Sequence, residues 1–428
     1  MSSALPSYAE AAAIVAARAA QLAHSRPLVE EVDLAQFDLA AAASRILAEP
    51  LLADDDQPPF ARSTRDGFAC RASEINSHEI LSLAGATRAG DAPAGPLPPG
   101  AAWEIMTGAP VPTGADAIVM LEHVEIAHVE TTPAGIRLLA PRKISAGENI
   151  VPQAAQARRG DELLPSGTPI NYAQIALAAT CGYAALSVFA RPKVAILTTG
   201  DELVPVNATP APGQIRNSNA PMLAALVSAA GGDPWILPTA NDNAESLDAA
   251  LAQATQADLL LLSGGVSAGK FDLVEPALAR IGSQFHFTGV RIQPGKPLVF
   301  GEVPKRDQHG AKCLFFGLPG NPVSSAVTFL LFAAPILAAL AGSRAPAPRF
   351  ALARLAAETD RRAKPGLTRF LPAFCTFNPP PGLFPSVELV PWQGSGDLAA
   401  QARANCFLVI PEDTATLQAG EIVQILLS

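Results

Sequence analysis

Hydrophobic and polar positions divide the chain into three textures. Residues 7–10, S-Y-A-E, have the form of a capping box, and the Ala/Val/Ile/Leu spacing that follows to about residue 23 predicts a helix. A second helix is expected over residues 39–48, before Pro50. An acidic, proline-bearing linker follows at 54–59, and from there to about 143 short apolar runs alternate with Gly/Pro turns, the pattern of a small β-rich lobe. Residues 147–168 suggest a further short β unit and 172–180 a short apolar helix. Because both flanks are helical in part, the lobe is expected to be inserted into a first domain formed by both.

From residue 191 the pattern becomes regular. Strands are expected at 193–199, 235–237, 259–262, 285–292, 298–301 and 314–316, with helices at 219–230, 245–255, 273–281 and after Asn321. Strands alternating with helices of this length imply a mostly parallel sheet covered on both faces. Beyond about residue 345 the chain is proline-rich with short strands, which predicts a separate β domain.

Ligands of such sheets bind at the carboxyl ends of the strands, and the chemically active residues collect there. Thr199, Gly200, Asp201 and Glu202 follow the first strand, Asp242 follows the second, and residues 317–321, including Gly320 and Asn321, follow the last. After the strand at 259–262 comes S-G-G-V-S-A-G-K-F-D, residues 263–272. Ser263, Gly264, Gly265 and Ser267 there form a candidate phosphate cradle, whose backbone N–H groups could converge on one anion. Asp272 either caps the next helix or holds a hydrated cation beside the phosphate; the plain alternative is a Gly-rich connection with a capping Asp. Asp201, Glu202, Asp242 and Asp272 would repel an anionic ligand unless a hard cation bridged them, which points to Mg2+ held by Glu202, Asp242 and Asp272 in a cleft poor in basic residues. Lys296, in Q-P-G-K-P, is a candidate oxyanion contact, although a lysine in a surface turn has the same appearance. No P-loop, dinucleotide fingerprint, nucleophile elbow or H-E-x-x-H is found in the sequence.

Composition narrows the partners. With 428 residues, several domains are expected. A formal charge of −9, without a Lys/Arg cluster, argues against nucleic acid and against an anionic membrane. Five cysteines with no C-x-x-C pair fit neither a disulfide framework nor a zinc site, so a cytoplasmic thiol protein with oxygen-ligated metal is expected. The amino terminus has neither the basic nor the apolar region of a signal peptide. The stretch most like a membrane span, residues 324–342, follows P-G-N-P directly and contains Pro335, so a buried helix against a sheet is expected.

The run 263–272, with T-G-D-E-L at 199–203, P-G-K-P at 294–297 and residues 317–324, resembles the bacterial molybdopterin molybdenumtransferase family, relatives of the gephyrin E-domain. D-G-F-A at 66–69 looks like the family's D-G-Y-A, and T-G-A-P-V-P at 107–112 is the family's own motif. Q-G-S at 393–395 and N-C-F at 405–407 resemble its carboxyl-terminal signatures, so the likeness runs nearly the whole chain. It implies a multidomain α/β plus β fold. The expected parts are a discontinuous helical/β first domain (1–53 and 144–190), a β-rich inserted lobe (54–143), a central three-layer, MogA-like α/β domain that binds molybdopterin (191–344) and a β-barrel-like C-terminal domain (345–428).

The activity implied is Mg2+-dependent insertion of molybdate into adenylyl-molybdopterin with release of AMP. By position, Glu202, Asp242 and Asp272 match family acidic site residues. Asp66 and Thr107 match residues that reach the cleft from the second domain, supplied by the partner subunit of a homodimer. Lys296, Pro297, Ser324 and Ser395 match the molybdate side. Transient contact with the adenylyltransferase of the same pathway is a further expectation. The chain departs from the family at three places: Gln156 stands where an acidic residue is usual, Gln293 where a lysine is, and Leu371 or Pro372 where an arginine is. A divergent paralogue that binds the pterin or its adenylylated form without efficient insertion is the alternative these departures keep open.

Overall fold

A computed structural model describes residues 5–428 apart from 24–27, 35–44, 130–131, 266–272, 306–310, 345, 360–365, 381 and 383. The chain separates into two compact units. The first comprises residues 1–48, 167–171 and 185–428, and the second 49–166 and 172–184.

The centre of the first unit is a six-stranded sheet in the order Asp233–Ile236, Lys193–Thr198, Leu259–Ser263, Lys312–Leu318, Val299–Pro304, Gln284–Thr288. The first four strands run parallel, and Val299–Pro304 is antiparallel to both neighbours. Leu259–Ser263 is L-L-L-L-S and buried at every position, as a central strand covered on both faces must be. Its side chains alternate between two cores. Leu259 and Leu261 join Val194, Ile196 and the helix Pro322–Thr328 on one face, and Leu260 and Leu262 join Ala195, Leu197 and the helices Ala244–Ala254 and Val274–Arg280 on the other.

The capping box forms as expected: Ser7 and Glu10 exchange hydrogen bonds, the Glu10 carboxylate accepting from the Ser7 N–H at 2.7 Å. The helix it starts, Tyr8–Ala23, buries Ala11, Val15 and Ala19 in the first of these cores. The apolar helix from Pro322 to Leu340 is 78% buried over its most hydrophobic window. It passes through a π turn at Phe329–Ala333 and serves as a core helix. Two expectations need correction. Residues 35–44 lie outside the described residues, and 45–48, expected to end a helix, are extended, with Ile46 and Leu47 bridged to Pro169 and Val188. There, tertiary pairing overrides helix propensity. The strand expected at 285–292 is two strands: Gly289 at φ +100° turns the chain after Gln284–Thr288, and Ile292–Gln293 pairs instead with Thr368–Thr376.

Thr368–Thr376 belongs to the C-terminal sheet. Cys406–Ile410 pairs with both Ile422–Leu427 and Thr368–Thr376, closing the ring into a barrel around Ala373, Leu408 and Ile425.

The second unit holds a six-stranded sheet in the order Ala117–Met120, Gly67–Cys70, Ala101–Ile105, Leu81–Thr87, Thr132–Leu138, Val124–Val129. Phe68, Val119 and Ile136 are among its core residues. Gly67 is obligatory there, because a Cβ would lie 2.0 Å from the Val119 carbonyl oxygen.

Candidate functional site

A cavity of about 650 Å3 opens at the carboxyl edge of the parallel strands in the first unit. Thr198 and Thr199 end the first strand at its wall, and Ser263, Gly264 and Gly265 end the third. Gly264 and Gly265 have φ of +98° and +63°. A Cβ on Gly264 would sit 2.6 Å from the Thr199 carbonyl oxygen, and one on Gly265 2.9 Å from Val274 Cγ2. Glycine is therefore required at both positions, by backbone conformation and by contact. The remainder of the expected cradle, Ser267 and Asp272 included, lies outside the described residues.

Beside it, at the end of the neighbouring strand, stands the turn Pro319, Gly320, Asn321, Pro322, where the buried Pro322–Leu340 helix begins. Pro322 occupies the first helical turn, where its missing N–H costs no intrahelical bond. The Ser325 hydroxyl donates to the Pro319 carbonyl and fixes the turn. Asn321 Nδ2 donates to Ser395 Oγ at 2.8 Å, and the Val323 N–H to the Ser395 carbonyl at 3.1 Å, so the barrel domain contributes Ser395 and, at the cavity wall, Gly396.

The sequence reading missed the wall formed by residues 215–219. Asn217 Nδ2 donates to Thr198 Oγ1 at 2.8 Å, and its Oδ1 accepts from the Ala220 N–H at the start of the helix Asn219–Ala229. Asn219 Nδ2 donates to Ser263 Oγ at 2.8 Å and to the Gly320 carbonyl at 2.7 Å, joining the third and last strand ends. Its Oδ1 is buried and has no hydrogen-bond partner among the described residues, and the same is true of Thr199 Oγ1. Arg216 also lines the cavity and is its one basic side chain among the described residues. The available signal was the run R-N-S-N directly ahead of a helix.

The acidic residues divide between two places. Glu202 lines the main cavity and folds back over Gly200, whose Cβ would meet Glu202 Oε2 at 2.5 Å. Asp242 lines an adjoining recess of about 10 Å3, with Thr199 and Gly265 between the two. That volume is enough for roughly one water or a bare ion. The Asp242 N–H donates to Asp201 Oδ1 at 3.1 Å. Burial raises the Asp242 carboxyl above its ordinary value; a hydrogen bond from the Asp201 backbone opposes the rise, and the carboxylates of Asp201 and Glu202 add to it. Among the described residues no group of three acidic, histidine or cysteine side chains converges on one ion position. The donors present, carboxylate oxygens flanking an unpartnered threonine hydroxyl, suit a hard cation such as Mg2+.

The other expected residues are dispersed. Pro297 lines the cavity, whereas Lys296 is exposed and outside its lining. Ser324 is buried inside the helix, its carbonyl accepting from Thr328 Oγ1. In the second unit, Asp66 Oδ1 accepts from the Thr107 N–H at 2.6 Å and from Thr107 Oγ1 at 2.8 Å. These bonds hold the Asp66 carboxyl below the usual range, so it stays ionised and is aimed by Thr107. Gln156, in the same unit, is held by its N–H to the Gln57 carbonyl at 2.8 Å. Gln293 is exposed beside Arg369, and Pro372 pairs with Phe407 in the barrel.

Comparison with known proteins gives a consistent set of relatives. Residues 6–182 match the model of the MoeA N-terminal region (domain I and II), 195–339 that of a probable molybdopterin binding domain, and 354–428 that of the MoeA C-terminal region (domain IV). A molybdopterin molybdenumtransferase of Nostoc sp. is 33% identical over 410 residues, covering 93% of this chain and 91% of the relative. One of Bacillus subtilis is 35% identical over 393 residues, covering 90% and 87%. The crystal structure of a molybdopterin biosynthesis MoeA protein of Pyrococcus horikoshii superposes with a TM-score of 0.78 at 26% identity, over 99% of this chain and all of that one.

Proposed function

The chain belongs to the molybdopterin molybdenumtransferase family, transferases of molybdenum cofactor biosynthesis, and from that premise we propose that it inserts molybdate into adenylyl-molybdopterin and releases AMP. The observation that supports this most is the cavity at the carboxyl edge of the parallel sheet. It is built from two strand-end turns and the start of a long buried helix, and two polar atoms at its wall have no partner among the described residues. The Gly265 N–H and the helix start at Asn321 suit the phosphates, since helix starts and glycine turns favour anions, whereas the Gly264 N–H donates to the Leu318 carbonyl at 3.4 Å. Ser263 and Asn219 fix the spacing between these turns.

Glu202 and Asp242, with Asp272, would hold Mg2+. Bound there, the ion would neutralise phosphate charge as the phosphate bond is hydrolysed. The dithiolene end of the pterin and molybdate would then lie toward Lys296, Pro297, Ser324 and Ser395. Asp66, kept ionised by Thr107, would act from the partner subunit of a homodimer as a fixed carboxylate at the reacting end. A cytoplasmic location, and transient delivery of substrate by the preceding adenylyltransferase, complete the reading.

A second reading is a paralogue that holds adenylyl-molybdopterin without efficient insertion. Gln156, Gln293 and Pro372 favour it, since each replaces a charged group expected at the site. Complementation of a bacterium lacking its own molybdenumtransferase separates the two: growth on a molybdoenzyme-dependent nutrient supports insertion, and no growth despite tight binding of adenylyl-molybdopterin in vitro supports the binder.

A further inference from the structure

The main cavity carries a charge imbalance. Among the described residues that line it, Glu202 is the one acidic side chain and Arg216 the one basic side chain. A phosphate-bearing ligand meets the charge of Glu202 there, and Arg216 is the side chain of the wall that can offset it.

Arg216 is placed for that task. It lies on a short parallel ribbon in which Leu203 and Val204 pair with Ile215 and Arg216. The Ile215 N–H donates to the Glu202 carbonyl at 2.8 Å and the Asn217 N–H to the Val204 carbonyl at 2.9 Å, so the backbone is pinned on either side of Arg216. Arg216 Nε donates to the Ala208 carbonyl at 3.0 Å, which orients the plane of the guanidinium. Guanidinium has five N–H donors, and this bond uses one. Neither Nη atom has a protein partner among the described residues. A planar fork held by its stem, with its terminal donors open, matches two oxygens of a phosphoryl group. Thr199, 6% exposed, presents to the same cavity a hydroxyl without a partner among the described residues. Two independent features of the cavity wall therefore call for a polar ligand, and the charged one calls for an anion.

We propose that Arg216 is the specificity-determining residue of this cavity, its guanidinium binding a phosphoryl group so that phosphate esters are selected over their dephosphorylated counterparts. The inference rests on the reading of the cavity as a nucleotide-pterin site and adds the residue that reads its charge.

Isothermal titration of the full-length protein with AMP and with adenosine tests it, using wild type, Arg216→Gln and Arg216→Lys. A hydrogen-bonded charge at an exposed position is worth about tenfold in affinity. Arg216→Gln is therefore expected to bind AMP about tenfold more weakly and adenosine as wild type does. Arg216→Lys, which keeps the charge and loses the fork, should fall between. AMP binding should also weaken with salt more steeply in wild type than in Arg216→Gln, since exposed charges are screened. The proposal is overturned if Arg216→Gln binds AMP as tightly as wild type, or if AMP and adenosine lose affinity equally, which would mark a structural role. Wild type that binds AMP no better than adenosine would overturn both this proposal and the nucleotide reading of the cavity, whereas unaltered AMP binding in Arg216→Gln alone leaves that reading standing.

Discussion

Asn219 offers the most direct way to test how the cavity is held together. Its Nδ2 bridges Ser263 Oγ and the Gly320 carbonyl, one group on each strand-end turn, at 2.8 and 2.7 Å. Replacing it with alanine removes both bonds, each worth about 0.5–1.5 kcal/mol net. The summed loss is about 1–3 kcal/mol, shared between global stability and the spacing of the two turns. If half appears in the ligand-bound geometry, affinity for AMP falls roughly three- to tenfold. Asn219→Asp separates spacing from charge. Its carboxylate cannot donate to the Gly320 carbonyl, and it would place a negative charge where the phosphate is proposed to bind. Two unit charges about 4 Å apart near a surface interact by about 4 kcal/mol, so even a third of that adds a further tenfold loss. Titration with AMP, alongside urea denaturation of each variant, gives both quantities. AMP binding by Asn219→Ala indistinguishable from wild type would refute the reasoning and leave Asn219 as an ordinary residue in the first turn of a helix.

Four further outcomes are expected. Gly264→Ala should lower stability by about 2–4 kcal/mol in urea denaturation, from left-handed backbone strain and the 2.6 Å approach to the Thr199 carbonyl, and should abolish AMP binding; a variant of wild-type stability would contradict the turn geometry. Glu302, 5% exposed, is bonded to Arg18 at 2.6 Å and to Lys312, and Glu302→Gln should cost about 1–2 kcal/mol at pH 7 because both partners retain some solvent. The same cluster predicts an acid limb. Burial holds the His286 imidazole below its ordinary value, and burial of Glu302 is outweighed by Lys312 and Arg18, so its carboxyl is also held low. Both groups take up a proton more readily when unfolded. Their stabilisation is therefore present above the unfolded pKa values and lost as pH falls, for His286 below about pH 6.5 and for Glu302 below about pH 4.3. Thermal melts from pH 8 to 3 should show the decline in wild type; Glu302→Gln should lose the part at the acid end and decline more steeply through the histidine range, because Glu302 is the group that raises the His286 imidazole. Finally, light scattering at micromolar protein should give a dimer; a monomer at every concentration would remove the partner subunit's proposed share in the site.

Most of the α/β domain could be read from the sequence because its central strands are short, mainly apolar runs bounded by turn residues. Leu259–Ser263 is the clearest case, and the helix Asn219–Ala229 falls within a residue of the expected span, as does Tyr172–Thr180 in the other unit. The reading failed where pairing crosses domains. Ile292–Gln293 looks like the tail of the preceding strand, and only Thr368 and Arg369, far along the chain, make it an edge of the barrel. Ile46 and Leu47 are likewise extended because of partners at 169 and 188. Local periodicity cannot report either fact, since nothing in the window identifies the partner.

The site was legible to the same extent and for a related reason. A search for polar residues just after strands finds Thr199, Glu202, Ser263 and Gly264, and all four line the cavity. It passes over Arg216, Asn217 and Asn219, which lie fifteen or more residues beyond the first strand and look like part of a loop. Yet in a right-handed strand–helix–strand unit the end of the strand and the start of the next helix lie at the same edge of the sheet. Residues just before a helix are therefore as well placed for a ligand as residues just after a strand. They also add what strand ends lack: Asn217 caps the Asn219–Ala229 helix while bonding Thr198, and Asn219 bonds two other strand ends. The acidic strand ends alone suggested a cleft needing an ion to accept an anion. With Arg216 just ahead of a helix, positive charge at the cavity wall comes from the protein itself.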